Sequence, residues 1–101
     1  MRPRHKFNAV PTITNGIKFQ SRKEARYYEE LLWRQKAGDI VFFLRQVPFH
    51  LPGGVTYRVD FQEFHADGTV HFVEVKGYET KEWKMKKRMV EELYPVTITV
   101  V

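Results

Sequence analysis

Val55, Tyr57, Val59 and Phe61 alternate with Thr56, Arg58, Asp60 and Gln62, a period of two that predicts a strand with one buried face. Elsewhere the period lengthens. Ala25, Tyr28, Leu31 and Leu32 fall at helical spacing and predict a helix from Arg22 to Lys36. Ser21 and Glu24 form a capping box at its start, and Gly38 is placed to end it in the left-handed conformation. Trp83, Val90 and Leu93 mark the buried stripe of a second helix, Thr80 to Leu93, with Thr80 as N-cap and Tyr94-Pro95 as the stop. Runs of β-formers at Ile40–Phe49, Val70–Lys76 and Val96–Val101 predict three more strands. Asn15-Gly16 suits the positive φ angles of a type I′ turn, so Thr12–Phe19 reads as a hairpin, and Pro52-Gly53-Gly54 reads as a turn. The order hairpin–α–β–β–β–α–β predicts an α/β domain around a mixed sheet flanked by helices. It occupies residues 1–101 as one unit, with residues 1–9 as a basic arm expected to be mobile.

Composition changes this picture in two ways. The chain has no Cys, which excludes disulfides, a thiol nucleophile and a Cys-type zinc site. No apolar run approaches the ~20 residues needed to span a membrane, and no apolar stretch follows Met1-Arg2-Pro3-Arg4-His5-Lys6 as a secretory signal would. A cytoplasmic, reducing location is the expectation. Lys and Arg number 17 against 12 Asp and Glu, so an anionic partner is expected, nucleic acid ahead of a membrane surface.

The chemistry concentrates in Asp60 and Glu74-Val75-Lys76. Glu-x-Lys also occurs at Glu79–Lys81 and Glu82–Lys84, but only Glu74 and Lys76 end a hydrophobic strand. A three-residue loop, Ala66-Asp67-Gly68, pairs His65 with Thr69, and therefore Phe61 with Val73, Asp60 with Glu74, and Val59 with Val75. Tyr57, Val59, Phe61, Val73 and Val75 then share a core face, while Arg58, Asp60, Gln62, Glu74 and Lys76 share the other. Carboxylates directly opposite on adjacent strands repel by a few tenths of a kcal/mol to about 1 kcal/mol. A hard cation such as Mg²⁺ relieves that repulsion; a solvated face of mixed charges is the plainer alternative. Glu24 falls near the apolar face of its helix and can reach towards the pair, although its capping role alone explains its presence. Glu30 points the opposite way, among Arg26, Tyr27 and Arg34. The histidines lack the spacing of a metal pair, and His71 is expected to face Glu63 across the hairpin.

Glu24, Asp60 and Glu74-Val75-Lys76, followed by a helix and a strand, resemble the PD-(D/E)xK nuclease superfamily. Phe19-Gln20-Ser21-Arg22-Lys23-Glu24-Ala25, Leu44-Arg45-Gln46-Val47-Pro48-Phe49 and Val73-Glu74-Val75-Lys76-Gly77-Tyr78 are similar to small phage-encoded nucleases related to Holliday-junction resolvases. The resemblance implies a restriction-endonuclease-like α-β-β-β-α-β core and Mg²⁺-dependent hydrolysis of DNA phosphodiesters, with Mn²⁺ able to substitute. It assigns the metal to Asp60, Glu74 and the Val75 carbonyl, with Glu24 completing the site directly or through water. Lys76 would orient the attacking water. Gln46 is read as buried in its strand, with a hydrogen bond at the rim of the site as the alternative. Val59 stands where the motif's proline would be. A role in DNA recombination in the host cytoplasm would follow for a phage-encoded enzyme.

Arg2, Arg4, Lys6, Arg58, Lys81, Lys84, Lys87 and Arg88 are the candidate phosphate contacts. No recognition-helix or RNA-binding aromatic signature is present, so DNA shape rather than base sequence is the expected target. Two symmetric cuts in a four-way junction require a C₂ homodimer, for which exposed aromatics and the Thr12–Phe19 hairpin are candidate interfaces. Two alternatives stand beside this reading. One is a nuclease for linear or single-stranded DNA in repair or restriction; the other is a non-catalytic basic DNA-binding protein.

Overall fold

The computed structural model of the chain describes residues 11–101. The hairpin strands β1 (Thr12–Thr14) and β2 (Ile17–Phe19) pair across Asn15 and Gly16, both at positive φ as a type I′ turn requires. Helix α1 runs Arg22–Lys36, with Ser21 Oγ accepting from the Glu24 amide at 3.1 Å. Gly38 lies just past its end at φ 87°. Strands β3 (Ile40–Leu51), β4 (Val55–His65), β5 (Val70–Glu74) and β6 (Ile98–Val100) form one sheet in that order, and helix α2 (Lys81–Leu93) precedes β6. The β3–β4 and β4–β5 pairs are antiparallel and β5–β6 is parallel, so the sheet is mixed as expected. No helix among the described residues is long and apolar enough to cross a membrane.

The β4–β5 loop takes the expected form. His65 N–H donates to the Thr69 carbonyl at 2.9 Å, and Gly68 sits at φ 89°. Phe61 therefore pairs with Val73, which fixes the register from which the site is built.

Neighbouring residues of β5 show how the helices are placed. Val73 packs with Phe19, Ala25, Tyr28 and Leu31 of the hairpin and α1, while Phe72 packs with Trp83, Val90 and Ile98. Successive side chains of a strand point to opposite faces, so α1 and α2 cover opposite faces of the sheet. The anticipated single core face is thereby corrected. Tyr57, Val59, Phe61, Val73 and Val75 are all buried, but Tyr57 and Val59 belong to the core under α2 and the other three to the core under α1.

The change of face happens at Gln46 and Asp60. Arg45 pairs with Phe61 and Val47 with Val59, so the register is kept across Gln46, whose φ of 53° lies in the left-handed region and departs locally from extended backbone. The two-strand ribbon turns over at that level. Val59, Asp60 and Phe61 are buried in succession, which a sheet covered on both faces allows and a strand with one buried face does not. Smaller differences concern element ends: β5 stops at Glu74 rather than Lys76, and Leu93 is exposed instead of completing the α2 stripe.

Candidate active site

Past Phe61–Val73 the β4–β5 ladder ends, so the expected backbone pairs Asp60–Glu74 and Val59–Val75 do not form. Side chains take over the bonding. Asp60 N–H donates to Glu74 Oε1 at 3.3 Å, and Val75 N–H donates to Asp60 Oδ2 at 2.9 Å. β5 meanwhile stays with β6, through Val101 N–H to the Glu74 carbonyl at 3.0 Å and Lys76 N–H to the Val101 carbonyl at 3.2 Å. Strands β4 and β5 thus part where the two carboxylates stand.

Glu24 reaches the same place from the first turn of α1. Its carboxyl is lowered by the Gln20 amide just before the helix and also faces inward, where Gln46 Nε2 donates to Glu24 Oε2 at 3.5 Å and to Asp60 Oδ1 at 3.2 Å. One amide therefore bridges two acids, and it is carried by a residue with left-handed backbone. Both readings of Gln46 hold in part: it is half-buried, and it hydrogen-bonds into the site.

The plainer alternative, a solvated face of mixed charges, does not hold. Glu24 is 4% exposed, Asp60 9% and Glu74 6%. Burial, followed by the charge of Asp60, pushes the carboxyls of Glu24 and Glu74 up to about 7. Burial also raises Asp60, opposed by the Val75 amide, Gln46, Lys76 and Arg45. Three buried acids side by side resist full ionisation, and the nearby cations only moderate this. Lys76 extends from the end of β5, with Nζ 5.4 Å from the centre of the Trp83 ring. Lys23 Nζ donates to the Lys76 carbonyl at 3.0 Å and ties α1 to the same stretch.

Hard oxygen donors and hard-to-ionise acids fit a divalent cation such as Mg²⁺, which takes one or two carboxylates and completes its shell with water. Among the described residues, no three His, Cys, Asp or Glu side chains are already gathered into a ligand set. The fit is therefore one of donor chemistry. Val75, whose carbonyl the motif assigns to a metal, is held against Asp60 through its N–H.

Three residues of the site were not singled out by sequence. Tyr57, read only as core, accepts from Trp83 Nε1 at 3.1 Å, and its hydroxyl lowers the carboxyl of Glu74. A Tyr on a core face needs a partner for its hydroxyl, which is the signal that marks it. Trp83, read as part of the α2 stripe, supplies that bond. Arg45 stacks on Phe19 at 4.6 Å, its charge lowers the carboxyls of Glu24 and Asp60, and its Nε is buried without a partner among the described residues.

The basic residues divide into three groups. Lys81, Lys84 and Arg88 are exposed on α2, and Arg58 is exposed on β4 two residues before Asp60. Lys87 is held by Glu91 at 3.1 Å, and Glu91 in turn accepts from Ile98 N–H at 2.8 Å. A groove of about 320 Å³ beside Trp83 is lined by Lys84, Lys87 and Arg88. Arg2, Arg4 and Lys6 lie outside the described residues.

Glu63 and His71 pair across the hairpin as expected, but the Glu63 side chain bonds elsewhere. It accepts from the Tyr27 hydroxyl and meets His65 Nε2 at 2.8 Å, while the Arg34 guanidinium, at 4.0 Å, also reaches Glu30. This buried network braces α1 against β4, away from the acids.

Comparison with known proteins adds one finding. Residues 4–100 match the family described as "Protein of unknown function (DUF1064)". The chain belongs to that family. No curated protein and no solved structure matches it. The site geometry is thus a description of one DUF1064 member from its own residues.

Proposed function

We propose that this DUF1064 protein is a Mg²⁺-dependent DNA endonuclease of the PD-(D/E)xK kind, acting on branched DNA as Holliday-junction resolvases do. The observation that carries the reading is the burial of Glu24, Asp60 and Glu74, from three separate elements, beside Lys76. A fold selected only for stability or for coating DNA gains nothing from buried acids that repel one another. Further support comes from the mixed sheet with helices on both faces and from the α-β-β-β-α-β order of elements after the hairpin.

Asp60 and Glu74 would hold Mg²⁺ with the Val75 carbonyl, and Glu24 would complete the set directly or through water; Mn²⁺ has the same preference for oxygen. Bound there, the ion would neutralise phosphoryl charge and favour ionisation of a water. Lys76 Nζ would orient that water and offset the negative charge that builds on the phosphate. Lys81, Lys84, Arg88 and Arg58 would grip the phosphate backbone without reading sequence. A two-fold dimer would present two such sites to a junction.

The test compares wild type, Asp60→Ala and Lys76→Ala with Mg²⁺ or Mn²⁺, on a four-way junction and on a linear duplex. The expected result is metal-dependent cutting of the junction, with both variants slowed at least ~100-fold. Equal cutting of both substrates would reassign the enzyme to linear DNA. Binding without cutting would leave a DNA-binding protein.

A further inference from the structure

Helix α2 carries the exposed basic residues, yet one of its buried side chains meets both ends of the Glu74–Lys76 segment. Trp83 Nε1 donates to the Tyr57 hydroxyl at 3.1 Å, and the ring of the same Trp83 lies 5.4 Å from Lys76 Nζ. Tyr57 in turn stands beside the Glu74 carboxylate, and its hydroxyl lowers that acid while the acid raises the phenol. An indole offers only a donor, and a phenol both donates and accepts. With its oxygen accepting from Trp83, the phenol keeps its single proton to offer to the Glu74 carboxylate beside it.

Both groups are rigidly held. Tyr57 and Trp83 are buried in the core under α2 with Val59, Val90 and Ile98. Thr80 Oγ1 accepts from the Trp83 amide at 3.1 Å, so the cap that starts α2 also fixes where Trp83 begins. The parting of β4 from β5 has removed backbone pairing at Glu74 on the β4 side, and Tyr57 reaches it from β4 as a side chain.

We propose that Tyr57 and Trp83 are a positioning pair for the site, with Tyr57 fixing the Glu74 carboxylate and Trp83 fixing both Tyr57 and the Lys76 ammonium. The pair rests on the nuclease reading above and extends it, because it places α2, the candidate DNA-gripping helix, in direct contact with the groups that would hold metal and water. Neither residue touches the reacting atoms. Their effect passes through Glu74 and Lys76.

The experiment uses the full chain and three variants, Tyr57→Phe, Trp83→Phe and the double variant. Each conserves an aromatic ring in the core, and melting curves identify any variant that fails to fold. Two quantities are read: the Mg²⁺ concentration that half-saturates the rise in melting temperature, and kcat and KM for junction cleavage. Tyr57→Phe should raise the Mg²⁺ half-point and lower kcat by roughly tenfold each with KM unchanged, the usual scale for losing a partner that orients a metal-binding group. Trp83→Phe should give a smaller loss, and the double variant should lose less than the product of the two single losses, because the two share the Tyr57 hydroxyl even though Trp83 also meets Lys76. A Tyr57→Phe protein that melts lower at every Mg²⁺ concentration but keeps the wild-type half-point and kcat overturns the proposal and leaves the pair structural. So does a double variant whose loss is the product of the two single losses. A wild type that neither responds to Mg²⁺ nor cuts DNA overturns the nuclease reading itself, a result distinct from either of these.

Discussion

Glu24 and Glu74 have carboxyls near 7 because each is buried and each faces the charge of Asp60. An unfolded chain returns them to the ordinary 4.5. Between pH 4.5 and about 7 the folded protein therefore holds protons that the unfolded chain has already released. Stability without metal must fall as pH rises through that window and is greatest below it. Melting temperatures taken in EDTA across that range should decline. On the proposed metal reading, Mg²⁺ would compete with those protons and should restore stability at pH 7.5 far more than at pH 5. Glu24→Gln should flatten part of the decline, and a flat profile for wild type would contradict the burial account. The residue pattern placed Asp60 and Glu74 side by side but left open whether their face was solvated or held a cation, and gave no sign of their burial. Strand alternation cannot foresee that the ribbon turns over at Asp60 and buries the polar position along with its neighbours.

At the scale of the element, the turning point is Gln46. A left-handed conformation costs a residue with a Cβ roughly 1–2 kcal/mol, which Gly avoids. Gln46 remains there while its amide joins Glu24 to Asp60. Gln46→Gly should relax the backbone and Gln46→Ala should not, so the glycine variant should be more stable than the alanine variant by about 1 kcal/mol in urea denaturation. Both lose the amide equally, so their cleavage defects should match. Larger elements were legible from sequence because their signals are local: the Ser21 cap, Gly38 past α1, the Asn15-Gly16 turn and the Ala66-Asp67-Gly68 loop each appear where the pattern put them. Gln46 carried no such signal. Its amide finds its partners on α1 and β4, both distant in sequence.

For the molecule as a whole, the surplus of positive charge divides into groups free to meet a polyanion and groups already engaged. Lys84 and Arg88 are exposed beside the groove, whereas Lys87 is bound to Glu91, which also ties α2 to β6. DNA affinity measured against salt should therefore separate them. Lys84→Ala and Arg88→Ala should each reduce the log–log slope by about 0.9, the value for one lost phosphate contact on a duplex. Lys87→Ala should change the slope less and lower the melting temperature more, because it leaves the half-buried Glu91 without its cation. Equal slopes for all three would mean that charge number, not placement, governs binding.

The sequence by itself determined the elements, their order, the β4–β5 register and the identity of the acids, because caps, turns and periodicity act within a few residues. Tertiary structure decided what those acids became. It set α1 and α2 on opposite faces, separated β5 from β4 at Glu74, turned Gln46 inward and brought Tyr57 and Trp83 against the far side of the site. These are contacts between segments tens of residues apart, and they arise only when burial forces polar groups to find partners in one another.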